Sequence, residues 1–332
     1  MAGSMVAFDI GSAQVKLVWY SGKTRKKAAA VELPDGLVSG GEIVSMDAMA
    51  DFLRQTAKEK GIPRAAAAVV LPASLVYTKT VDVPLMTDAQ LAYNLPFEFK
   101  DYLTQEKSQY YFDYAVQEPQ EEDADSSGRM HLFACATLKK TIEEYRAMFR
   151  RAGFRLKAAM PEQSAYAALI GVQADCGEDT CLVDIGYAAI SMHILRGRSI
   201  VTHRTMDLGL SALIRSIADR RGVDPHLAAA YMRTDFEGVM SESESLDLYH
   251  QMAVEIMKAV NFYNYNNRQQ TLRKIYLCGG GAAIGRISEA IREATNLEVC
   301  PVAELMPEAQ DLQEPWLFAK AVGCAMQEQV VR

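Results

Sequence analysis

The tripeptide Asp-Ile-Gly occurs twice in this chain, at residues 9–11 and again at 184–186. Each copy closes a short apolar run and opens another. Val6 to Trp19 fits two strands joined by a tight turn at Gly11-Ser12, and no helical spacing fits it. Cys181 to Asp184 opens the second unit, and Ile-Ser-Met-His-Ile-Leu follows its turn. A single Asp-x-Gly is an ordinary turn. Two in the same strand–turn–strand setting are an internal duplication, and a duplicated unit limits the fold more than any single motif does.

Such a hairpin suits phosphate and metal binding. Glycine lets the backbone approach closely, the N–H groups of the turn face anionic oxygens, and the Asp can hold a metal-bound water. Asp9, Gly11, Asp184 and Gly186 are therefore candidate nucleotide residues, with Asp9 and Asp184 facing Mg2+ through water. Lys16 follows the first turn; it either reaches a β- or γ-phosphate as a point charge or is a surface strand lysine. The third element is Tyr276-Leu-Cys-Gly-Gly-Gly-Ala-Ala, a strand emptying into Gly279, Gly280 and Gly281 before a helix. It suits close approach to a purine or phosphate, or a tight strand–helix turn. Beside both hairpins, nucleotide binding is the better reading.

Between these motifs the pattern alternates strands with helices. Residues 29–33 read as a third strand, Met46–Lys60 as a helix ended by Gly61, and Ala66–Pro72 as a buried strand. From about 73 to 157 the texture changes: strands at Val76–Val83, Tyr110–Gln117 and Met130–Thr137, and helices at Thr87–Phe99 and Lys139–Ala152. Residues 118–128 are acidic and read as a hairpin loop. A helix follows Pro161. Asp207–Arg221, Pro225–Arg233, Asp247–Asn267, Ile284–Ala294 and Trp316 to about Gln329 also read as helices, with strands at Lys274–Cys278 and Val299.

The 332 residues suffice for two lobes with separate cores. A formal net charge of -7 argues against nonspecific binding to nucleic acid or an acidic membrane. The basic run Lys23, Arg25, Lys26 and Lys27 reads as a solvated turn. The six cysteines (Cys135, Cys176, Cys181, Cys278, Cys300 and Cys324) form no CxxC pair, so neither a metal nor a disulfide framework is expected. The five histidines share no metal-ligand spacing, and the methionines and the Asn261–Asn267 tyrosine cluster read as packing. Asp9 interrupts the first apolar run, no stretch is long enough to span a bilayer, and the residues before Met5 read as a cloning scar. The expected compartment is the cytoplasm.

Asp9-Ile-Gly-Ser-Ala-Gln-Val-Lys16, Asp184-Ile-Gly186 and Cys278-Gly-Gly-Gly-Ala282 resemble the two phosphate motifs and the adenosine motif of the actin–sugar kinase–Hsp70 superfamily. Met160-Pro-Glu-Gln-Ser-Ala165 and Ala319-Lys-Ala-Val-Gly-Cys-Ala325 resemble its two connecting helices. Within it, the chain is most similar to the PilM-like type IV pilus assembly proteins, which are related to FtsA. Asp-Ile-Gly-Ser with Val-Lys, Leu71-Pro-x-Ser-x-Val-Tyr-Thr-Lys79, Leu95-Pro-Phe97 and Phe112-Asp-Tyr-x-Val116 carry that match.

The resemblance implies an α/β, actin-like (ribonuclease H-like) two-lobe fold with duplicated core subdomains and an FtsA-type insertion in the first lobe. The implied divisions are 5–79 for the first core, with helix 316–330 packing back on it, and 80–157 for the insertion. The second core would take 158–205 and 259–315, and a small subdomain 206–258. ATP and Mg2+ are the implied cofactors, adding Ser12, Ala13, Gly209, Arg233 and Ala282 to the binding set and Glu162 or Gln163 as water-positioning candidates. Capping of the helix after Pro161 is the competing role for that pair. The implied partner is the cytoplasmic tail of a PilN-like inner-membrane protein, gripped beside Val76, Tyr77, Lys79 and Val81. Other pilus components and self-association also fit. Nucleic acid and direct membrane insertion do not, so recruitment to the inner face of the membrane would come through the partner.

One departure matters. The second phosphate loop of the family continues with small hydroxyl residues, whereas Gly186 is followed here by Tyr187-Ala188-Ala189. Backbone donors survive that change, so ATP binding is expected while hydrolysis is left open. Three functions follow: an ATP-binding scaffold, which is favoured, an FtsA/MreB-like filament protein, or a small-molecule kinase. No catalytic base for the kinase is apparent.

Overall fold

The computed structural model describes residues 3–117, 128–171, 179–268, 271–306 and 309–330. The acidic 118–127 segment and Cys176 lie outside them. The chain divides into two compact units, Met1–Val172 with Arg198–Val201 and Lys320–Arg332, and Gln173–Gly197 with Thr202–Ala319.

In the first unit, β1 (Ser4–Ile10), β2 (Gln14–Ser21) and β3 (Thr24–Glu32) form an antiparallel meander. A two-strand ribbon of β4 (Val38–Ser39) and β5 (Glu42–Ile43) leads to α1 (Met46–Glu59), capped by the Ser45 side chain. β6 (Ala66–Leu71) then pairs parallel to β1. β7 (Tyr77–Pro84), α2 (Asp88–Glu98), β8 (Tyr110–Val116) and β9 (Arg129–Leu138) follow. α2 starts in a capping box, with Thr87 accepting from the Gln90 N–H and the Gln90 side chain accepting from Thr87. The three strands form a separate sheet in the order β7-β9-β8, whose core holds Val81, Val83, Leu91, Leu95, Phe99 and Leu132.

α3 (Lys139–Ala152) ends at Gly153 in the left-handed conformation. Read in the sequence as part of the insertion, it instead packs on the first sheet. Its Tyr145, Met148 and Phe149 join the core of β1 and α1, where the Phe8 ring meets Phe149 at 4.9 Å and Phe154 at 5.1 Å. Burying one such ring contributes about 2–3 kcal/mol. β10 (Arg155–Pro161) then pairs parallel to β6, completing the sheet order β10-β6-β1-β2-β3. α4 (Glu162–Ile170) follows directly. α9 (Ala319–Val330), preceded by a 3-10 turn at Pro315–Leu317, also belongs to the first unit from Lys320 on. A Cβ at Gly323 would collide with the backbone carbonyl of Ala165, so α9 crosses α4 with the two backbones in contact.

The second unit repeats this plan. β11 (Asp179–Ile185) and β12 (Ile190–Arg196) form the antiparallel hairpin, and β14 (Lys274–Cys278) and β15 (Glu298–Pro301) extend it in parallel. With β13 (Ser199–Met206), the order is β13-β12-β11-β14-β15. That is the first sheet read from β3 to β10. α5 (Leu210–Arg221), α6 (Pro225–Thr234) and α7 (Ser243–Asn266) intervene before β14, and α8 (Gly285–Thr295) precedes β15.

Four strands are absent from the sequence reading: the two-residue β4 and β5, and β10 and β13, each of which is an edge. Arg25, Lys26 and Lys27 lie on β3 and not in a turn; only Lys23 does. Asp207–Gly209 stay outside α5.

Candidate functional site

The residues singled out in the sequence fall into two groups, one in each unit. In the first, β1 delivers Asp9 to the end of the strand, 4% exposed, with Lys16 opposite it in register on β2. The turn closes with Gly11 N–H donating to the Gln14 carbonyl at 3.0 Å. The N–H groups of Ser12 and Ala13 donate to no backbone carbonyl among the described residues. Two cations flank the carboxylate: Lys16 Nζ is 3.5 Å from one Asp9 oxygen and Lys320 Nζ is 3.9 Å from the other. Lys320 also reaches Glu162 at 3.7 Å. A pair of unengaged backbone donors beside two ammonium groups is an anion cradle, and a buried carboxylate behind it can orient a hydrated cation.

Glu162 therefore spends its side chain on Lys320, and no side chain caps α4 at Pro161, so the capping role anticipated for it is not the one it plays. Gln163 is buried and donates to Thr78 Oγ at 3.5 Å. Lys320 is the residue the sequence reading missed. Its position two residues into the connecting-helix motif, just before the small residues of α9, was the available signal.

In the second unit, β11 delivers Asp184, 5% exposed, and its turn closes identically, Gly186 N–H to the Ala189 carbonyl at 3.0 Å. The residue opposite Asp184 is Ser191. Here the turn is covered. α5 starts against it, with the Leu210 and Ser211 N–H groups donating to the Gly186 and Tyr187 carbonyls at 3.0 and 2.8 Å. Those two helix-terminal donors are thus satisfied by protein. A Cβ at Gly209 would stand 2.5–2.7 Å from backbone atoms of Tyr187, Ala188 and Ala189, which explains the glycine there. The Tyr187 ring itself is exposed.

The three glycines answer the alternative left open in the sequence. Gly279 has φ +79, and a Cβ on it would meet the Asp184 carboxylate and the Ile185 carbonyl; one on Gly281 would meet the Ile185 side chain. Gly279 N–H donates to the Trp316 carbonyl at 2.9 Å. Gly279 and Gly281 are thus required by packing on β11, while Gly280 meets only the tip of Leu210 at 3.1 Å. Ala282 follows in a 3-10 turn and donates to the Gly279 carbonyl at 3.1 Å. A cavity of about 200 Å³ adjoins this turn, lined by Leu277, Ala282, Ser288, Arg292, Val299 and Trp316. Arg233 sits exposed in the last turn of α6.

The second hairpin is also tied at its open end. Arg196 Nε and Nη2 donate to the buried Asp179 carboxylate at 2.7 and 3.1 Å, and the Tyr263 hydroxyl donates to the same group. Burial and that carboxylate push the Tyr263 phenol well above its ordinary range. Burial alone pushes the Cys181 thiol up to about 12. Burial, first, and the nearby Asp113 charge push Cys135 up to about 12. These two thiols are therefore poor nucleophiles. Among the described residues no group of three or more His, Cys, Asp or Glu side chains could hold a metal.

Of the residues expected to grip a partner, Val76 precedes β7, while Tyr77, Lys79 and Val81 lie two apart and share one face of it. Val76 and Val81 bury their side chains, the first in the core of the main sheet and the second in that of the three-stranded sheet. Tyr77 and Lys79 are half-buried. Lys79 donates to the Glu98 carbonyl at 3.2 Å, and Tyr77 lies 6.2 Å from Tyr102, ring to ring. β7 is an edge strand.

The model of the family "Type IV pilus assembly protein PilM" matches residues 7–323. Comparison with curated proteins finds no match. Among solved structures, the "PilM-PilN type IV pilus biogenesis complex" is 20% identical over 100% of both chains, with a TM-score of 0.84. The ethanolamine utilization protein EutJ from Carboxydothermus hydrogenoformans is 16% identical over 97% of this chain and 88% of that one, at 0.62. MreB 5 of Spiroplasma citri, bound to AMPPNP, is 12% identical over 100% and 97%, at 0.57. At such identities the likeness is one of fold, and the fold is actin-like.

Proposed function

We propose, from the premise that this chain belongs to the family of the type IV pilus assembly protein PilM, that it is an ATP-binding scaffold of a pilus assembly system. It would work at the cytoplasmic face of the membrane by gripping the N-terminal tail of a PilN-like inner-membrane protein. The observation that carries ATP binding is the first turn, where free Ser12 and Ala13 N–H groups lie beside Lys16 and Lys320. Triphosphate would supply the anion; Mg2+ carried on it would meet Asp9 through water, since Mg2+ keeps much of its hydration shell. We read the chain as a binder and not a rapid ATPase. Tyr187, Ala188 and Ala189 give the second turn no small hydroxyl residue, and Glu162 and Gln163 are already engaged.

For the partner, the supporting feature is the free edge of β7, which can accept an extended peptide through its backbone, with Tyr77 and Lys79 flanking. Calorimetric titration of the protein at fixed Mg-ATP with a peptide copying a PilN-like tail tests this. Saturable one-to-one binding, lost in a Tyr77→Ala/Lys79→Glu variant that still melts normally, is expected. Absence of binding by nucleotide-loaded protein would remove the scaffold reading.

A further inference from the structure

The net charge of -7 conceals a segregation of charge. At the end of the first sheet remote from Asp9, register places Arg155, Ala66, Met5, Tyr20 and Arg25 side by side across five strands. Exposed cations crowd this end. β3 contributes Lys26, which is the extra residue of a bulge between Trp19 and Tyr20 on its partner strand, and Lys27. Lys23 occupies the turn before it. Lys27 Nζ lies 3.4 Å from where a Cβ on Gly61 would stand, which brings β3 against the end of α1 and its Lys58 and Lys60. Arg64 lies against Gly153, and Arg155 N–H donates to the Ala65 carbonyl at 3.2 Å, which closes the series.

These seven side chains differ from three arginines of the same unit. Arg54, Arg146 and Arg151 are all spent on carboxylates. None of the seven makes an ion pair among the described residues, and the one acid in their midst, Glu59, is bonded to Gln55. Seven unneutralised cations repel one another, so the arrangement costs free energy unless an anion offsets it.

We propose that this end of the first sheet is a docking surface for an anionic membrane, which the chain touches without inserting. The chemistry of the patch selects that occupant. Five of the seven are lysines, the residue protein interfaces deplete, and no large exposed apolar side chain stands among them to anchor a protein or stack on a base. Strongly hydrated point charges on long stems suit diffuse attraction to phosphate headgroups. The proposal rests on the membrane-side reading above, because a tail-bound chain is already held near the bilayer. Each contact is then weak alone and strong together with the other.

Flotation of the full chain with vesicles of phosphatidylglycerol and phosphatidylethanolamine, against vesicles of phosphatidylcholine alone, tests it. We expect binding to the first only, abolished by high salt. Lys23→Glu/Lys26→Glu/Lys27→Glu should weaken it on the order of a hundredfold, and Lys58→Glu/Lys60→Glu/Arg64→Glu similarly. The same number of reversals elsewhere, at Lys140, Lys258 and Lys274, should change it little. No binding to anionic vesicles at low salt overturns the proposal, as does binding the reversals leave intact. A duplex oligonucleotide that strips the protein from vesicles at equal phosphate overturns it in favour of nucleic acid. Titration of the patch variants with the tail peptide separates the two readings. They should bind it as the parent does, and loss of peptide binding by the parent itself would indict the partner and not the patch.

Discussion

The hairpins β1–β2 and β11–β12 share a turn hydrogen bond of 3.0 Å and a buried aspartate at the same point of the strand, yet little else. Opposite Asp9 stands Lys16; opposite Asp184 stands Ser191. The first turn keeps its donors open and two lysines beside them, while the second carries the start of α5 and the glycines of β14 packed onto it. At their open ends the first pairs Ser4 with Ser21, and the second holds a buried Asp179–Arg196 pair. Duplication preserved the backbone and divided the labour. The first copy keeps its aspartate between two lysines, and the second has turned its conformational demands inward into structure.

That contrast can be broken by mutation. Gly279→Ala should have the largest effect, since it forces a side chain into Asp184 and the Ile185 backbone at a positive φ. A loss of about 4 kcal/mol or more by urea unfolding is expected. Gly11→Ala, where a Cβ would stand 3.1 Å from the Gln14 carbonyl, should cost about 1 kcal/mol. Equal losses would refute the division. Asp179→Ser, which gives the second hairpin the residue of the first, removes the buried carboxylate that Arg196 and Tyr263 share and should cost about 3 kcal/mol by the same assay without altering nucleotide affinity. Last comes Lys16→Ser, which makes the first hairpin resemble the second. ATP affinity, followed with a fluorescent analogue, should fall about tenfold while stability holds. Unchanged affinity would remove Lys16 from the site.

Much of this was legible because central strands bury both faces and read as unbroken apolar runs: Val6–Phe8, Ala67–Leu71 and Cys181–Val183. β10 and β13 were not. As edges they carry Arg155 and Lys157, or Thr202 to Thr205, outward, and their alternation dissolves into polar sequence. The duplication itself held the missing signal, for β13 answers β3, which had been read, as β10 answers β15. α3 was seen as a helix but assigned to the wrong core, because an amphipathic pattern names a buried face and not its neighbour. At the site, both aspartates and turns were apparent, while Lys320 was hidden by more than three hundred residues of intervening chain. The glycines were visible but their reason was not, since sequence cannot distinguish room kept for a ligand from room taken by a backbone.

The crossing of α9 over α4 has a mechanical corollary. Where Gly323 rests on the Ala165 carbonyl there is no side chain to serve as a tooth or a cushion. Two helices that touch in this way cannot ratchet along each other by a turn, because any translation drives a Cβ into a carbonyl. They can still swivel about the point of contact. The point of contact resembles a pivot, and any side chain at position 323 would prise the two backbones apart.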